Sequence, residues 1–424
     1  LTESETIRDL IDGVLLVKAH PGSTAGQMLN LSALTPHADT PIDETTLLGV
    51  LNWHVNHHTE RPHVILWDKR GRDSVIHYGQ LASKARTVAG ALLARGVVPG
   101  DRIALMLPTG ADFLFAFFGI LGAGCVPVPI YPPTRLSQIA DHLRRQVGIL
   151  DNADVAALVT VSEARGIATT LRVLVASLRF VCTVKDLTHD DHHSAFAAVQ
   201  GSDLALLQYT SGSTGDPKGV MLTHANLLAN IRETGRAASI NSTDIAVSWL
   251  PLYHDMGLIG TWLGALYFGV PSVIMSPLTF LARPAQWLWS ITRYRATISA
   301  APNFGFDLCV RKVTDEAIRG LDLSSLRLLM NGAEPVSSKT VRQFTKRFHQ
   351  YGFRPEAMTP VYGMAECALA LTIPRSNRKP RVDRIHRKEL TDYGVAIPQN
   401  STEKGGIEIL ACGQPLSGHE IRVI

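Results

Sequence analysis

Short apolar runs alternate with longer stretches of helical spacing along most of this chain. Between residues 77 and 95 the apolar positions fall three or four residues apart, which predicts a helix with one buried face. The same reasoning predicts helices at 47–57, 112–121, 136–150, 256–268, 284–294 and 338–351, and one beginning at 224. Strands are predicted at 64–68, 102–107, 126–130, 155–159, 204–207, 245–249, 272–275, 297–300, 326–330 and 358–361. Strands that alternate with helices predict an α/β fold with a largely parallel sheet covered on both faces.

The first 45 residues stand apart from this alternation. Residues 1–19 could form a helix, with Thr2 as its N-cap and Glu5 completing a capping box. Residues 21–43 are rich in Gly, Ser, Thr and Pro and are interpreted as a linker. The sequence therefore divides into an extension over 1–45, with no function assigned to it, and a main body from residue 46.

Composition narrows the class of protein. The chain has 424 residues, 46% of them hydrophobic and 18% charged, which favours two or three packed lobes over a disordered chain. A net charge of +4 without blocks of like charge gives no indication of nucleic-acid binding. No apolar run is long enough to predict a membrane span. The five cysteines are odd in number and form no C-x-x-C pair, so reduced thiols in a cytoplasmic protein are expected.

The most informative stretch is LLQYTSGSTGDPKGV, at 206–220. An apolar strand meets a loop of glycines and hydroxyl residues and then a lysine, which is a common way to hold phosphate. The candidate anion-binding residues are Thr210, Ser211, Gly212, Ser213, Thr214, Gly215 and Lys218. The spacing is not that of a Walker A loop, because Asp216 and Pro217 precede the lysine and Gly219 follows it. A polar surface turn is the alternative for this stretch in isolation.

Two further polar loops follow predicted strands. The first contains His254 beside Asp255, and the second contains Gly332, Ala333 and Glu334. Ligands bind at the carboxyl ends of strands in open α/β sheets, so both loops are candidate binding elements. In isolation, the first could be a turn with a helix-capping aspartate, and the second could be a simple connection between a strand and a helix.

The last such loop reads YGMAE. Tyr362 offers a ring for stacking, and Gly363, Met364 and Ala365 lead to the carboxylate of Glu366. A single carboxylate beside a triphosphate is a usual way to hold Mg²⁺, which keeps most of its waters. A helix beginning with an acid in its first turn is the alternative.

In their order and spacing, the four loops resemble those of adenylate-forming enzymes. The longer stretches SWLPLYHDMGLIG, SAAPNFGFDLCVRKV, MNGAEPVS and YGMAECALAL resemble the fatty acyl-AMP ligase branch of that superfamily. The resemblance covers residues 46–424. A segment within 372–406 corresponds to the insertion of that branch, with a tolerated surface insertion as the alternative.

The resemblance implies a fold and a reaction. The fold would be the large N-terminal domain of adenylate-forming enzymes, with stacked, mostly parallel sheets in an αβαβα-type arrangement. The reaction would join a fatty acid to ATP, releasing pyrophosphate, and pass the acyl group from acyl-AMP to the phosphopantetheine thiol of an acyl carrier protein. An acyl-CoA synthetase and a non-catalytic nucleotide- or acyl-adenylate-binding module are the alternatives.

The resemblance also implies roles for individual residues. Residues 210–215 and Lys218 would bind the β- and γ-phosphates, and Glu366 would hold Mg²⁺. Tyr362 would stack on adenine, with Gly332, Ala333 and Glu334 forming the adjoining wall. His254 would lie near the carboxylate and the α-phosphate, and the acyl tail would enter an apolar tunnel beside the helix from Met256.

Two elements of the resembling family have no counterpart in the sequence. These are a ribose-binding aspartate and a lysine that bridges the α-phosphate and the carboxylate, which the family carries after the equivalent of Ile424 and on its C-terminal lobe. The chain is therefore expected to be the N-terminal part of a longer enzyme, able to bind ATP and fatty acid but poor at adenylation alone.

Overall fold

A parallel α/β architecture accounts for most of the chain. The computed structural model describes residues 39–67, 73–132, 139–189, 192–210, 218–400 and 405–422. The helix expected within residues 1–19 and most of the proposed linker lie outside these ranges, as do Ser211, Gly212, Ser213, Thr214 and Gly215.

The largest sheet has seven strands in the order β13-β12-β11-β9-β10-β1-β2. Its strands are β1 (Pro62–Trp67), β2 (Asp73–His77), β9 (Ala246–Ser248), β10 (Ser272–Met275), β11 (Ile298–Pro302), β12 (Leu328–Gly332) and β13 (Met358–Pro360). All neighbours run parallel except β1 and β2. Because β9, β11, β12 and β13 share a direction, the four loops that follow them emerge at one edge of the sheet.

A second, fully parallel sheet has the order β4-β3-β5-β6. Its strands are β3 (Arg102–Met106), β4 (Val126–Pro129), β5 (Val155–Thr160) and β6 (Phe180–Thr183), and the antiparallel hairpin of β7 (Leu204–Thr210) and β8 (Lys218–Thr223) lies alongside β4. The remaining strands form two small antiparallel sheets, β14 (Tyr362–Gly363), β15 (Ala370–Ile373) and β18 (Gln414–Pro415) in one and β16 (Val382–His386) and β17 (Gly406–Leu410) in the other.

Helices cover both faces of the two parallel sheets. They are α1 (Leu47–His58), α2 (Tyr78–Ala94), α3 (Ala111–Gly122), α4 (Ile139–Asn152), α5 (Arg165–Leu174), α6 (Val184–Thr188), α7 (His224–Ala237), α8 (Gly264–Phe268), α9 (Pro277–Ala282), α10 (Ala285–Tyr294), α11 (Asn303–Lys312), α12 (Ser338–Phe348) and α13 (Arg387–Tyr393). Short 3₁₀ turns lie at Ser162–Ala164, Glu316–Ile318, His349–Tyr351, Pro355–Ala357 and Ala365–Cys367, and a π-helix at Met256–Leu263. No helix within the described ranges combines the length and the apolar character that crossing a membrane requires.

Three apolar cores fix the order of the layers. The largest joins α1, α2, α3, α7 and the π-helix to inward residues of both sheets, such as Val64 and Ile103. A second lies between the seven-stranded sheet and the outer helices α10, α11 and α12, and a third lies between the other sheet and α4 and α5. The sequence-based expectation of an αβαβα arrangement is confirmed.

Trp262 lies at the centre of the largest core. Its indole N–H donates a hydrogen bond to Nε2 of His63 at 3.0 Å, and both side chains are fully buried. The rings of Phe117 and Phe118 meet the indole edge-on, each with centroids 5.4 Å away. The π-helix is thereby tied to β1 on one side and packed against α3 on the other.

The structure differs from the predicted elements in two instructive places. The sequence predicts no element between the phosphate loop and the helix that begins at 224, but residues 218–223 form β8, whose Lys218 pairs with Thr210. The helix expected at 256–268 begins as a π-helix and continues as α8. Gly257 lets the start of this helix pack against the preceding loop, because a Cβ there would lie 2.3 Å from the carbonyl oxygen of Pro251.

The burial of two histidines makes the free energy of unfolding depend on pH. Burial lowers the pKa of His63 to about 3, and burial, partly offset by the charge of Asp203, lowers the pKa of His224 to about 4. Nδ1 of His224 accepts the backbone N–H of Leu47 at 3.1 Å, so both rings act as neutral acceptors. Below their unfolded-state pKa of about 6.5, the unfolded chain binds protons that the folded chain excludes.

We therefore expect stability contributed by these rings to be present above pH 6.5 and to be lost as the pH falls towards their folded-state pKa values. Urea unfolding followed at pH 7 and pH 5 should show a loss of roughly 4 kcal/mol from the two groups together. His63→Gln keeps an acceptor for Trp262 and should lose about half of that dependence. An unchanged pH dependence in this variant would contradict the assignment to His63.

Candidate functional site

One cavity of about 310 Å³ lies at the carboxyl edge of the seven-stranded sheet and extends beneath it. Its mouth is formed by residues of the hairpin β7–β8 and of the loops that follow β9, β12 and β13. These are Thr210, His254, Asp255, Ala333, Tyr362, Gly363, Met364, Ala365 and Glu366. The structure thus brings together at this cavity most of the candidate site residues that lie within the described ranges, while Lys218, Gly332 and Glu334 are not among its lining residues.

The hairpin β7–β8 presents the two ends of the proposed phosphate loop. Thr210 is the last residue of β7 and lines the cavity, and its partner Lys218 begins β8 and is exposed. Thr223 then caps α7, because its hydroxyl accepts the N–H of Asn226 at 3.1 Å and its own N–H bonds the Asn226 side chain at 3.0 Å. The strand, the loop ends and the following helix are therefore held in fixed register.

The loop after β9 contains a close histidine–aspartate contact. Nδ1 of His254 lies 2.6 Å from Oδ1 of Asp255, and the same oxygen accepts the backbone N–H of Met256 at 2.6 Å. Burial lowers the pKa of His254, but the hydrogen bond and the charge of Asp255 raise it, and the net pKa lies above its ordinary value. With Nδ1 held by the aspartate, the histidine has Nε2 left for a ligand. Asp255, which the sequence offered only as half of a pair, is therefore part of the site.

The loop after β12 bends sharply at Ala333. Its φ of 66° places this residue in the left-handed region, which is uncommon for any residue with a Cβ. Gly332 comes close to the following element, since a Cβ there would lie 2.8 Å from the side chain of Val361. Glu334 turns towards α11, where its carboxylate accepts the N–H of Phe304 at 2.5 Å. Of the three residues expected to form a wall, Ala333 lines the cavity.

The loop after β13 covers the other side of the mouth. Tyr362 begins β14, pairs with Thr372 of β15 and is 50% exposed. The backbone returns through a 3₁₀ turn containing Glu366 and ends it at Ala368, whose φ is 67°. Tyr362 and Glu366 thus line one cavity from a single short loop.

Within the described ranges, no group of three or more metal-ligating side chains forms a protein cage for an ion. Two carboxylates line the cavity instead: Glu366, which is exposed, and Asp255, which is paired with His254. Mg²⁺ commonly takes one or two protein carboxylates and completes its shell with water and substrate phosphates. The residues present therefore fit a magnesium ion that arrives with a nucleotide.

The sequence led us to expect an apolar tunnel beside the helix from Met256, but it did not indicate which residues line the interior of the cavity. It runs between the sheet on one side and α7, the π-helix and α8 on the other. Its walls include Thr234, Ile240, Ala246, Met256, Gly260, Thr261, Gly264, Ala265, Val270, Ile298, Ala300, Met330, Leu369, Ala370 and Ile373. The signal that could have indicated it is the pair Gly260 and Gly264, four residues apart on an apolar helix and hence on one face.

Comparison with known protein families identifies the chain's family. The model of the AMP-binding enzyme family matches residues 51–405. A medium-chain-fatty-acid–[acyl-carrier-protein] ligase, JamA of Moorena producens, is 33% identical over 386 residues, which cover 90% of this chain and 65% of JamA. A long-chain-fatty-acid–AMP ligase, FadD32 of Mycolicibacterium smegmatis, is 37% identical over 79% of this chain and 56% of its own length.

Solved structures that resemble this chain include proteins of the same kind. A fatty acyl-adenylate ligase from L. pneumophila, solved in complex with acyl adenylate and pyrophosphate, superposes with a TM-score of 0.81 at 33% identity. The superposition covers 90% of this chain and 65% of that protein, so the chain spans about two thirds of its length. The chain belongs to the AMP-binding enzyme family, and the relatives that it resembles within the family are fatty acid–AMP ligases.

Proposed function

We propose that the protein containing this chain activates a fatty acid with ATP, giving acyl-AMP and pyrophosphate, and passes the acyl group to the phosphopantetheine thiol of an acyl carrier protein. One observation carries this proposal. A single cavity joins a polar mouth, suited to a nucleotide, to an apolar interior suited to a hydrocarbon tail. The carrier-protein acceptor is supported by the relative JamA, which is named for that activity.

Catalysis in this proposal is mainly positioning and neutralisation of charge. A carboxylate oxygen of the fatty acid attacks the α-phosphorus, an acyl–phosphate bond forms, and the bond to the β-phosphate breaks with its electron pair leaving on pyrophosphate. Thr210, Lys218 and the loop 211–215 hold the β- and γ-phosphates. Lys218 contributes a positive charge, and the loop contributes hydroxyl and backbone N–H donors.

The nucleotide base is held at the mouth. Tyr362 offers its exposed ring for stacking on adenine, and the backbone of Gly363, Met364 and Ala365 borders the same space. Gly332 and Ala333 form the facing wall, while Glu334 supports that wall through its bond to the N–H of Phe304. Glu366 would hold Mg²⁺, which when bound would draw charge from the phosphate oxygens.

His254 is assigned to the reacting end of the acid. Asp255 holds Nδ1 of its ring, so a proton on Nε2 can be donated to the carboxylate or the α-phosphate. The raised pKa favours the protonated ring, which would add positive charge where negative charge accumulates. In the second half-reaction the carrier thiol attacks the acyl carbonyl, a thioester forms and AMP leaves.

The division of the chain into an extension, an adenylation domain and an insertion is also proposed. Residues 1–45 are assigned to an extension and 46–424 to the adenylation domain, with the branch-specific insertion within 372–406. Strand β16 of this region pairs with β17, which follows it, and β17 is fastened to α12, because Glu408 accepts hydrogen bonds from Ser338, at 2.7 Å, and from Arg342. An insertion attached in this way is expected to keep one orientation on the domain.

The acceptor of the acyl group distinguishes the proposed enzyme, which acylates a carrier protein, from an acyl-CoA synthetase. We expect the protein that carries this chain, at the full length of its relatives, to release pyrophosphate with a fatty acid and then to acylate a holo-carrier protein faster than free CoA. Radiolabelled acid followed by thin-layer chromatography and gel analysis measures both steps. Rapid formation of acyl-CoA would favour the synthetase, and an absence of pyrophosphate release with every acid would favour a non-catalytic binding module.

Glu366 provides the test of the metal assignment. Glu366→Gln keeps the size of the side chain and removes its charge, so pyrophosphate release in the full-length protein should fall roughly a hundredfold. The magnesium concentration needed for half-maximal rate should also rise. Glu163→Gln, an exposed change in a 3₁₀ turn far along the chain from these loops, is the matched control and should leave both values unchanged. If Glu366→Gln kept the magnesium dependence of the wild type, another residue would have to hold the metal.

A further inference from the structure

The depth of the cavity can be estimated from the strands beneath it. Ala246 of β9 and Ile298 of β11 are paired in register and form the inner part of the floor. From Ile298 the strand runs to Pro302, which pairs with Gly332, the residue before Ala333 at the mouth. At about 3.3 Å per residue, these four steps measure about 13 Å.

The inner end is closed by a small apolar cluster. Ala246, Ala265 and Val270 are almost fully buried there, and Ile240 packs against them. Ala246 and Ala265 have short side chains and leave room for a ligand, whereas Val270 and Ile240 are branched and stand at the end. A straight tail entering from the mouth would therefore stop against these two branched residues.

We propose that this tunnel sets the length of the acyl chain and makes the protein selective for acids of medium length. An extended hydrocarbon rises about 1.25 Å per carbon, given C–C bonds of about 1.52 Å, so a depth of about 13 Å accommodates about ten carbons. This inference rests on the proposed function, and it selects between the medium-chain and long-chain acids that appear in the names of the relatives JamA and FadD32.

Gly264 is the residue at which the depth can be changed. It begins α8 and lines the cavity, and a Cβ built on it meets only the carbonyl oxygen of Ile259, at 3.4 Å, an ordinary contact. Gly260, on the same wall, differs, because its Cβ would lie 2.7 Å from the side chain of Leu369. The Cβ of a larger side chain at 264 therefore meets no closer neighbour, and the side chain would extend from a residue that lines the tunnel.

The test uses the chain itself and needs no turnover. Acyl sulfamoyl adenosines, which are stable analogues of acyl adenylates, are titrated calorimetrically in a series from acetyl to stearoyl. For the unaltered chain we expect affinity to rise up to about fourfold per methylene as far as the decanoyl analogue and then to level off or fall. A continuous rise to stearoyl would overturn the inference.

Two variants are expected to shift the acyl-chain length that binds most tightly, in opposite directions. Gly264→Leu should shift it to shorter analogues by roughly four carbons, the number in a leucine side chain, while affinity for the acetyl analogue stays within about threefold of the unaltered chain. Ile240→Ala should shift it to longer analogues, because it removes part of the end wall. An unchanged optimum in Gly264→Leu would contradict the proposal.

A matched substitution controls for effects on folding. Gly148 is an exposed glycine of α4 whose Cβ would meet nothing within 4 Å, so Gly148→Leu makes the same change away from the cavity and should keep the wild-type length profile. Failure of the proposed function would look different from failure of this inference. If neither the acetyl analogue nor AMP binds, the adenylate site is wrong, whereas binding of all analogues with equal affinity rejects the length selection alone.

Discussion

The hydrogen bond between Trp262 and His63 is the constraint on which the central layer depends. It joins the π-helix to the first strand of the large sheet inside a core where both side chains are fully buried. A buried acceptor left without its donor costs about 1–3 kcal/mol, so the contact strongly disfavours other positions of this helix. The same helix turns Met256, Gly260 and Thr261 towards the cavity. Core packing and the shape of the ligand site are therefore set by one element.

Much of the fold could be predicted because its signals are local. The alternation of strands and helices gave the parallel sheets, and the strands at 272–275 and 155–159 were placed within one residue of their observed bounds. The sequence missed β8, because Gly219 and Val220 after a glycine-rich loop resemble a continuing turn, and only pairing with β7 reveals a strand. It missed the π winding because apolar periodicity does not distinguish a π-helix from an α-helix over eight residues.

The residues of the candidate site also fall into those that could be predicted from the sequence and those that could not. Residues at its mouth lie in short motifs after strand ends, and parallel pairing brings those ends together, so His254, Ala333 and Tyr362 could be predicted as neighbours. Residues of the interior come from elements distant in sequence, such as Thr234 at the end of α7 and Ile373 on β15. They carry no chemical group that marks them as functional. Only the three-dimensional packing shows which small side chains leave space and which close it.

The packing of the tunnel residues limits how the selectivity for acyl-chain length can change. Most tunnel residues also belong to a core or contact one, so enlarging them forces neighbours to move at a cost of about 1–3 kcal/mol. Gly264 is different because its missing side chain faces the space that the ligand would occupy. A substitution there alters the tunnel while the helix gains a residue with better helical propensity than glycine. Chain length can thus be adjusted at one position without disturbing the Trp262–His63 contact that holds the wall in place.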